Sequence, residues 1–257
     1  MFVHLLNLGR IPYAEALEVQ RRVIAARKQN LIGDTLLLLE HPPVITLGRN
    51  ASRSNVLASD EFLAGRGVEL HEVNRGGDVT YHGPGQLVGY PILDLRGDFP
   101  GKRGPHLGPV DFVRLLEEVL IRTCAEFGVM AKRIPKCTGV WTFAGGNDSG
   151  GPSGLPEIPE KKIAAIGVHI SQGVTSHGFA LNVTTDLRDF EWIVPCGIAD
   201  RGVTSLELEA DSTMEPSMDR ALNATARSFG RVFGRQMLWC ESIEQLLAPG
   251  VAGQESR

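Results

Sequence analysis

The sequence predicts one α/β (α+β) domain of mixed β-sheets flanked by helices, on three observations. Apolar, strand-like runs recur at 35–39, 44–47, 68–73, 86–95, 140–143, 161–170 and 174–183. Helical periodicity appears in about three stretches, at 12–30, 109–128 and 216–234. The 257 residues are 42% hydrophobic, enough for one sizeable core, and no repeat divides them.

Taken in order, Met1–Arg10 is mixed and strand-like. Pro12 opens the first helix, with Tyr13, Leu17 and Ile24 on one face and Gly33 beyond its end. Thr35–Leu39 is an apolar strand that His41-Pro42-Pro43 breaks before Val44–Leu47 begins another. Val68–Val73 leads as a strand into Arg75. Gly97–Pro109 is a loop, and Pro109 starts a helix carrying Val113, Leu116, Leu120, Thr123 and Phe127, capped by Gly128. Val140–Phe143 is a short strand, and Ala144–Glu160, rich in Gly, Pro and Ser, is a surface excursion. Lys161–Ile170 and Val174–Val183 pair across a Ser171-Gln172-Gly173 turn. Trp192–Ile198 is a compact turn, and Val203–Leu206 is a short strand or helix entry. Pro216–Gly234 is the last helix, with Leu222, Phe229 and Phe233 inward, and Ala248–Arg257 is a frayed polar end.

Composition narrows the function. A net charge of −4, from 26 basic and 30 acidic residues, gives no global basic field for nucleic acid or an anionic membrane. No apolar run approaches a membrane span, and the N-terminus lacks the features of a signal or transit peptide. Cys124, Cys137, Cys196 and Cys240 lie far apart with no Cys-x-x-Cys pair, which argues against disulfides and a zinc site and fits a reducing cytoplasm.

The chemistry concentrates in a few places. Arg75–Tyr90 packs Arg75, Asp78, Thr80, Tyr81, His82 and Gln86 among five glycines and a proline. Gly76-Gly77 permits close approach of backbone to a ligand, and Gly83-Pro84-Gly85 forces a turn. The plainer alternative is a hairpin whose Arg75 and His82 satisfy only local hydrogen bonds. It is not a phosphate loop, because no Gly-Lys-Ser/Thr follows and no helix opens after it. His41, alone in a turn, reads as structural rather than as a pocket residue.

Among the cysteines, Cys196 is the best nucleophile candidate, because it sits in a turn between Pro195 and Gly197. Cys124 lies on a helix face and reads as core. The alternative for Cys196 is a packed thiol. A nucleophilic thiol needs a neighbouring cation or base. Lys162, heading an apolar strand, would be desolvated there and able to exchange protons near neutrality. Taken alone, it reads as readily as a solvated strand end, and Lys161 beside it shows how weak the unaided choice is.

Four segments in order closely resemble the lipoyl(octanoyl) transferases of lipoate biosynthesis. They are Arg75–Gln86 with Tyr90–Leu95, Lys162–Val168, Ser176–Asn182 and Pro195-Cys196-Gly197. The Gly83-Pro84-Gly85-Gln86 ending separates the first from the related ATP-dependent ligases. The resemblance covers roughly residues 35 to 206. It implies the catalytic fold of biotin and lipoate protein ligases over residues 1–240, with a loop insertion at about 144–160 and a C-terminal tail at 241–257. That insertion looks longer than the family's usual connection, either as a lid or as a harmless addition.

The resemblance also implies a reaction without bound cofactor, metal or ATP. An octanoyl or lipoyl group would pass from acyl carrier protein to a specific lysine of a lipoyl domain. Acceptors would be the E2 subunits of 2-oxoacid dehydrogenases and the H protein of glycine cleavage. Carried over by motif, Cys196 accepts the acyl group and Lys162 tunes it. Arg75, Gly76, Gly77, Asp78, Val79, Thr80, Tyr81 and His82 would line the substrate pocket, with Ala165, Ile166, Gly167, Gly178, Phe179 and Ala180. Val79, Ile166, Phe179 and Ala180 suit an alkyl slot. Backbone N–H groups around Gly76-Gly77 or Gly197 would hold an oxyanion. His82 would orient the thioester or the Cys196–Lys162 pair and His177 support its loop, neither as the base. Arg96, Lys102 and Arg103, with Lys132, Arg133 and Lys136, would meet an acidic carrier or else form ordinary solvated faces. The alternatives are an ATP-dependent lipoate or biotin ligase on the same fold and a non-catalytic carrier-binding module.

Overall fold

Continuous apolar runs demand burial on both faces, and Leu36–Leu39 shows how that is met. In the computed structural model, which describes residues 1–102, 104–143, 160–194 and 202–248, all four leucines are buried. They belong to β2 (Thr35–Glu40), inside an eight-stranded mixed sheet. Leu36 and Leu38 point to one face and Leu37 and Leu39 to the other.

The sheet order is β11 (Gln236–Trp239), β1 (Phe2–Arg10), β2, β6 (Gln86–Ile92), β10 (Val174–Asn182), β9 (Lys162–Ser171), β8 (Cys137–Thr142) and β7 (Ala131–Ile134). β11, β1 and β2 run parallel, and the remaining pairs are antiparallel. On one face pack α3 (Pro109–Ala125) and α5 (Met218–Phe233), through Phe112, Leu116, Leu120, Phe229 and Phe233. On the other lie α1 (Tyr13–Lys28) and α6 (Ile243–Leu247). A second sheet, β4 (Glu69–Glu72)–β3 (Val44–Leu47)–β5 (Val79–His82), has its own core, which includes Leu63 of α2 (Asp60–Gly65). No helix among the described residues is long and apolar enough to cross a membrane.

Several expectations need correction. The Gly83-Pro84-Gly85 turn does not join a hairpin: β5 ends in the small sheet and β6 starts in the large one. Gly85 carries this corner at φ 79°, and a Cβ there would lie 2.7 Å from Thr184. Its carbonyl accepts from Val183 N, Thr184 N and the Thr185 hydroxyl. On α1 the buried face is Tyr13, Ala16, Gln20, Val23 and Ala26, while Leu17 and Ile24 are only half-buried at its flank. Short elements without a full period, namely α2, α6, β7 and β11, were not anticipated, whereas the helix entry expected at Val203–Leu206 leads into α4 (Leu206–Glu209). Ile243 and Leu246 of α6 are buried, so packing continues past residue 241, where the tail was placed. Most of the 144–160 insertion and the end of the chain, residues 249–257, lie outside the described residues.

Candidate active site

Strand alternation divides β5. Val79 and Tyr81 are fully buried in the small sheet's core, whereas Thr80 and His82 face a cleft toward the large sheet. Val79 and Tyr81 therefore do not line the cleft, contrary to the sequence reading, because side chains on one strand alternate faces. The cleft occupies about 480 Å³ including its mouth.

Arg75 is buried at its rim. Its guanidinium donates to the Thr46 carbonyl at 2.7 Å and the Thr46 hydroxyl at 2.8 Å. Gly76 and Gly77 follow on the cleft wall, and the Gly76 N–H donates to Val168 O of β9 at 3.0 Å. That bond ties the two sheets together and commits one of the N–H groups expected at an oxyanion. Asp78, also lining the cleft, accepts from Asn55 Nδ2 at 2.6 Å.

The large sheet supplies a floor of small residues. Register pairs Ala165 with Ala180 and Gly167 with Gly178. Gly178 lies so close to β6 that a Cβ would sit 2.0 Å from the Gly89 carbonyl. Ile166 and Phe179, the pair between, line the cleft yet also pack with the α3–α5 core. Tyr13, Val88, Tyr90 and His177 complete the lining.

Histidines beside the cleft are held neutral. Burial pushes His82 down to about 3, and His41 and His177 down to about 4. Gln86 Nε2 donates to Tyr81 O and Asn182 Oδ1, so its oxygen accepts from His82 Nδ1 at 2.7 Å. The His82 proton is thereby on Nδ1 and Nε2 carries the lone pair. His41 donates from Nδ1 to Ile11 O and accepts the Tyr90 hydroxyl on Nε2, a wholly satisfied structural role.

Lys162 begins β9 and is 7% exposed, in contrast with exposed Lys161. Its Nζ stands 4.8 Å from the Trp141 ring centroid. A smaller space of about 290 Å³ adjoins Lys162, Gln86, Asn182 and Phe190, and shares Thr80, Ala165 and Ala180 with the cleft. Thr80, Ala165 and Ala180 thus line both the cleft and the space at the lysine.

Cys196, with Pro195 and Gly197, lies outside the described residues. The described residues flanking that segment are anchored: Val194 N donates to Asn55 O, and Gly202 O accepts from Lys162 N. Burial pushes the Cys124 thiol up to about 12, in keeping with a core residue. Of the two anticipated basic patches, Lys136 is exposed and Arg103 lies outside the described residues, and the other members are engaged internally, Lys102 with the Arg96 and Gly97 carbonyls. Arg96 pairs with Asp94, Lys132 with Glu160, and Arg133 with Glu117 and Glu118.

A family model for the lipoyl protein ligase A/B catalytic domain matches residues 12–230. An octanoyltransferase of Acidobacterium capsulatum is 64% identical over 96% of this chain and 96% of its own length. One from Koribacter versatilis is 51% identical over 95% and 90%. The chain belongs to the octanoyltransferase family. It is an acyltransferase. In fold it matches a bipartite lipoate protein ligase from Thermoplasma acidophilum, with TM-score 0.67 at 18% identity over 99% of this chain and 93% of the other. A lipoate-protein ligase A bound with ATP gives 0.65 at 17% over 99% and 95%.

For this octanoyltransferase family member, sequence reasoning missed Tyr13, Val88 and Tyr90 as cleft residues, and gave His177, which lines the cleft from β10, only the support of a loop. Tyr13 read as one more apolar position on a helix. Val88 and Tyr90 alternate along β6 with Leu87 and Gly89, a signal that was available.

Proposed function

We propose that the chain transfers an octanoyl or lipoyl group from acyl carrier protein to a lysine of a lipoyl domain, through a thioester on Cys196. The observation that carries this reading is the apolar cleft beside the space at Lys162, with Thr80, Ala165 and Ala180 lining both. Both flanks of the Cys196 segment attach beside it, one to Lys162 itself.

Lys162 takes the Cys196 proton, and the thiolate attacks the donor carbonyl. The carbon–sulfur bond to the carrier breaks, and the carrier thiolate leaves with the proton from Lys162. The acceptor amine then attacks the enzyme thioester. Lys162 receives the amine's proton and returns it to the departing Cys196 sulfur. One thioester replaces another in the first half, so no ATP is required. Burying the chain supplies about 0.8 kcal/mol per methylene. The acceptors are lipoyl domains of 2-oxoacid dehydrogenase E2 subunits and glycine-cleavage H protein.

Intact-mass spectrometry after mixing with octanoyl-acyl carrier protein tests this. An octanoyl adduct should form on Cys196, be labile to hydroxylamine, and vanish when lipoyl domain is added. Activity that requires ATP and survives Cys196→Ser would instead identify an ATP-dependent ligase. Binding of carrier without any transfer would identify a binding module.

A further inference from the structure

We propose that His177 sets the acyl-chain length the cleft accepts, as the wall closing its far end. The inference rests on the reading that the cleft holds the acyl chain, and extends it to specificity.

The direction of the cleft follows from register. From the end nearest Lys162, β10 lines the cleft with Ala180, Phe179, Gly178 and then His177, which stand in register with Ala165, Ile166, Gly167 and Val168 of β9. From Ala165 to Val168 is roughly 10 Å of strand, comparable with an extended octanoyl chain. Beyond His177 lies an open groove of about 730 Å³ between α1 and the Glu72–Asn74 segment. Among the described residues that line the cleft, His177 alone also lines this groove. Half-buried Leu17, Ile24 and Val73 give the groove an apolar surface, so a longer chain would find somewhere to go if the wall were absent.

The wall is fixed. His177 Nε2 bonds Asn74 Oδ1 at 2.7 Å, and its backbone N–H donates to Gln20 Oε1 at 2.9 Å. Its φ of 55° is a left-handed conformation uncommon for a residue with a side chain, and it sets the direction of the ring. His177 Nδ1 and Gln20 Nε2 are buried without hydrogen-bond partners. A joint serving packing alone would rarely leave two such atoms unpaired. The neutral ring suits contact with an alkyl terminus.

Competition among octanoyl-, decanoyl- and dodecanoyl-carrier donors tests the assignment, with lipoyl-domain products read by intact mass. The wild type should prefer octanoyl. His177→Gly, which removes the ring and relieves the positive φ, should lower the octanoyl-to-dodecanoyl ratio of kcat/KM at least tenfold. His177→Asn, a shorter side chain that tolerates the same φ, should fall between. Leu17→Trp, which fills the groove and does not line the cleft, should restore octanoyl preference in the His177→Gly background. An unchanged ratio in either variant that melts cooperatively overturns the proposal, as does a wild type that takes dodecanoyl as readily as octanoyl. A wild type that transfers no acyl group at all would refute the function proposed above instead.

Discussion

The cleft wall from the small sheet carries Arg75, Thr80 and His82, and Arg75 and His82 are locked by hydrogen bonds to Thr46 and Gln86. The facing floor from the large sheet carries Ala165, Gly167, Gly178 and Ala180, which offer almost no side chain. One side positions polar groups and the other makes room. The two also fail differently: a change on the polar wall disturbs orientation or charge, and a change on the floor disturbs volume.

Lys162, where the two meet, gives the largest expected effect. A positioned proton-transfer group contributes about 10²–10⁴ in rate. Lys162→Ala should therefore lower octanoyl transfer at least about a hundredfold. Lys162→Arg, which keeps a cation near Trp141 without an amine that exchanges protons, should be nearly as slow. Initial rates beside thermal melts check this, and unchanged turnover in either variant removes Lys162 from the chemistry.

Acid should act on the histidine side. His41 and His177 are lowered to about 4 from an ordinary 6.5. Each contributes stability present above pH 6.5 and lost as pH falls toward 4, because the unfolded chain binds the proton first. Between pH 7 and 5 each should cost roughly 2 kcal/mol. Urea midpoints should fall over that interval. His177→Asn should remove its share of the slope, and a slope that is the same in the variant would contradict the burial argument.

On the floor, Gly178→Ala should cost up to about 3 kcal/mol, since overpacking against fixed backbone is not relieved by a rotamer change. The Gly89 carbonyl is the atom in the way. A midpoint equal to wild type would mean that β6 and β10 are less closely apposed.

Much of this arrangement was legible in the sequence. The long helices and the central strands carry clear periods, and the β9–β10 pair follows from a Ser171-Gln172-Gly173 turn whose last two residues take positive φ. The polar residues of Arg75–His82 announced a ligand wall. What could not be read was long-range. Nothing local shows that β5 and β6 belong to different sheets, and so that Val79 faces a second core. Tyr13 reaches the cleft only because α1 starts beside it. Short elements such as α6 owe their existence to packing, here Ile243 and Leu246 against the α1 face.

The smallest effects test the division between core and cleft on neighbouring strands. Val79→Ala empties volume in the small sheet's core and should cost about 2 kcal/mol. It should leave KM for the octanoyl donor unchanged, because Val79 faces Ile45, Leu63 and Phe190. Ala165→Leu should do the converse: the half-buried site tolerates the larger side chain with little change in melting, while KM rises several-fold as the chain loses its space. If Val79→Ala raised KM as much as Ala165→Leu, β5 would have to present its other face to the substrate, and the separation of a polar wall from a small-residue floor would fail with it.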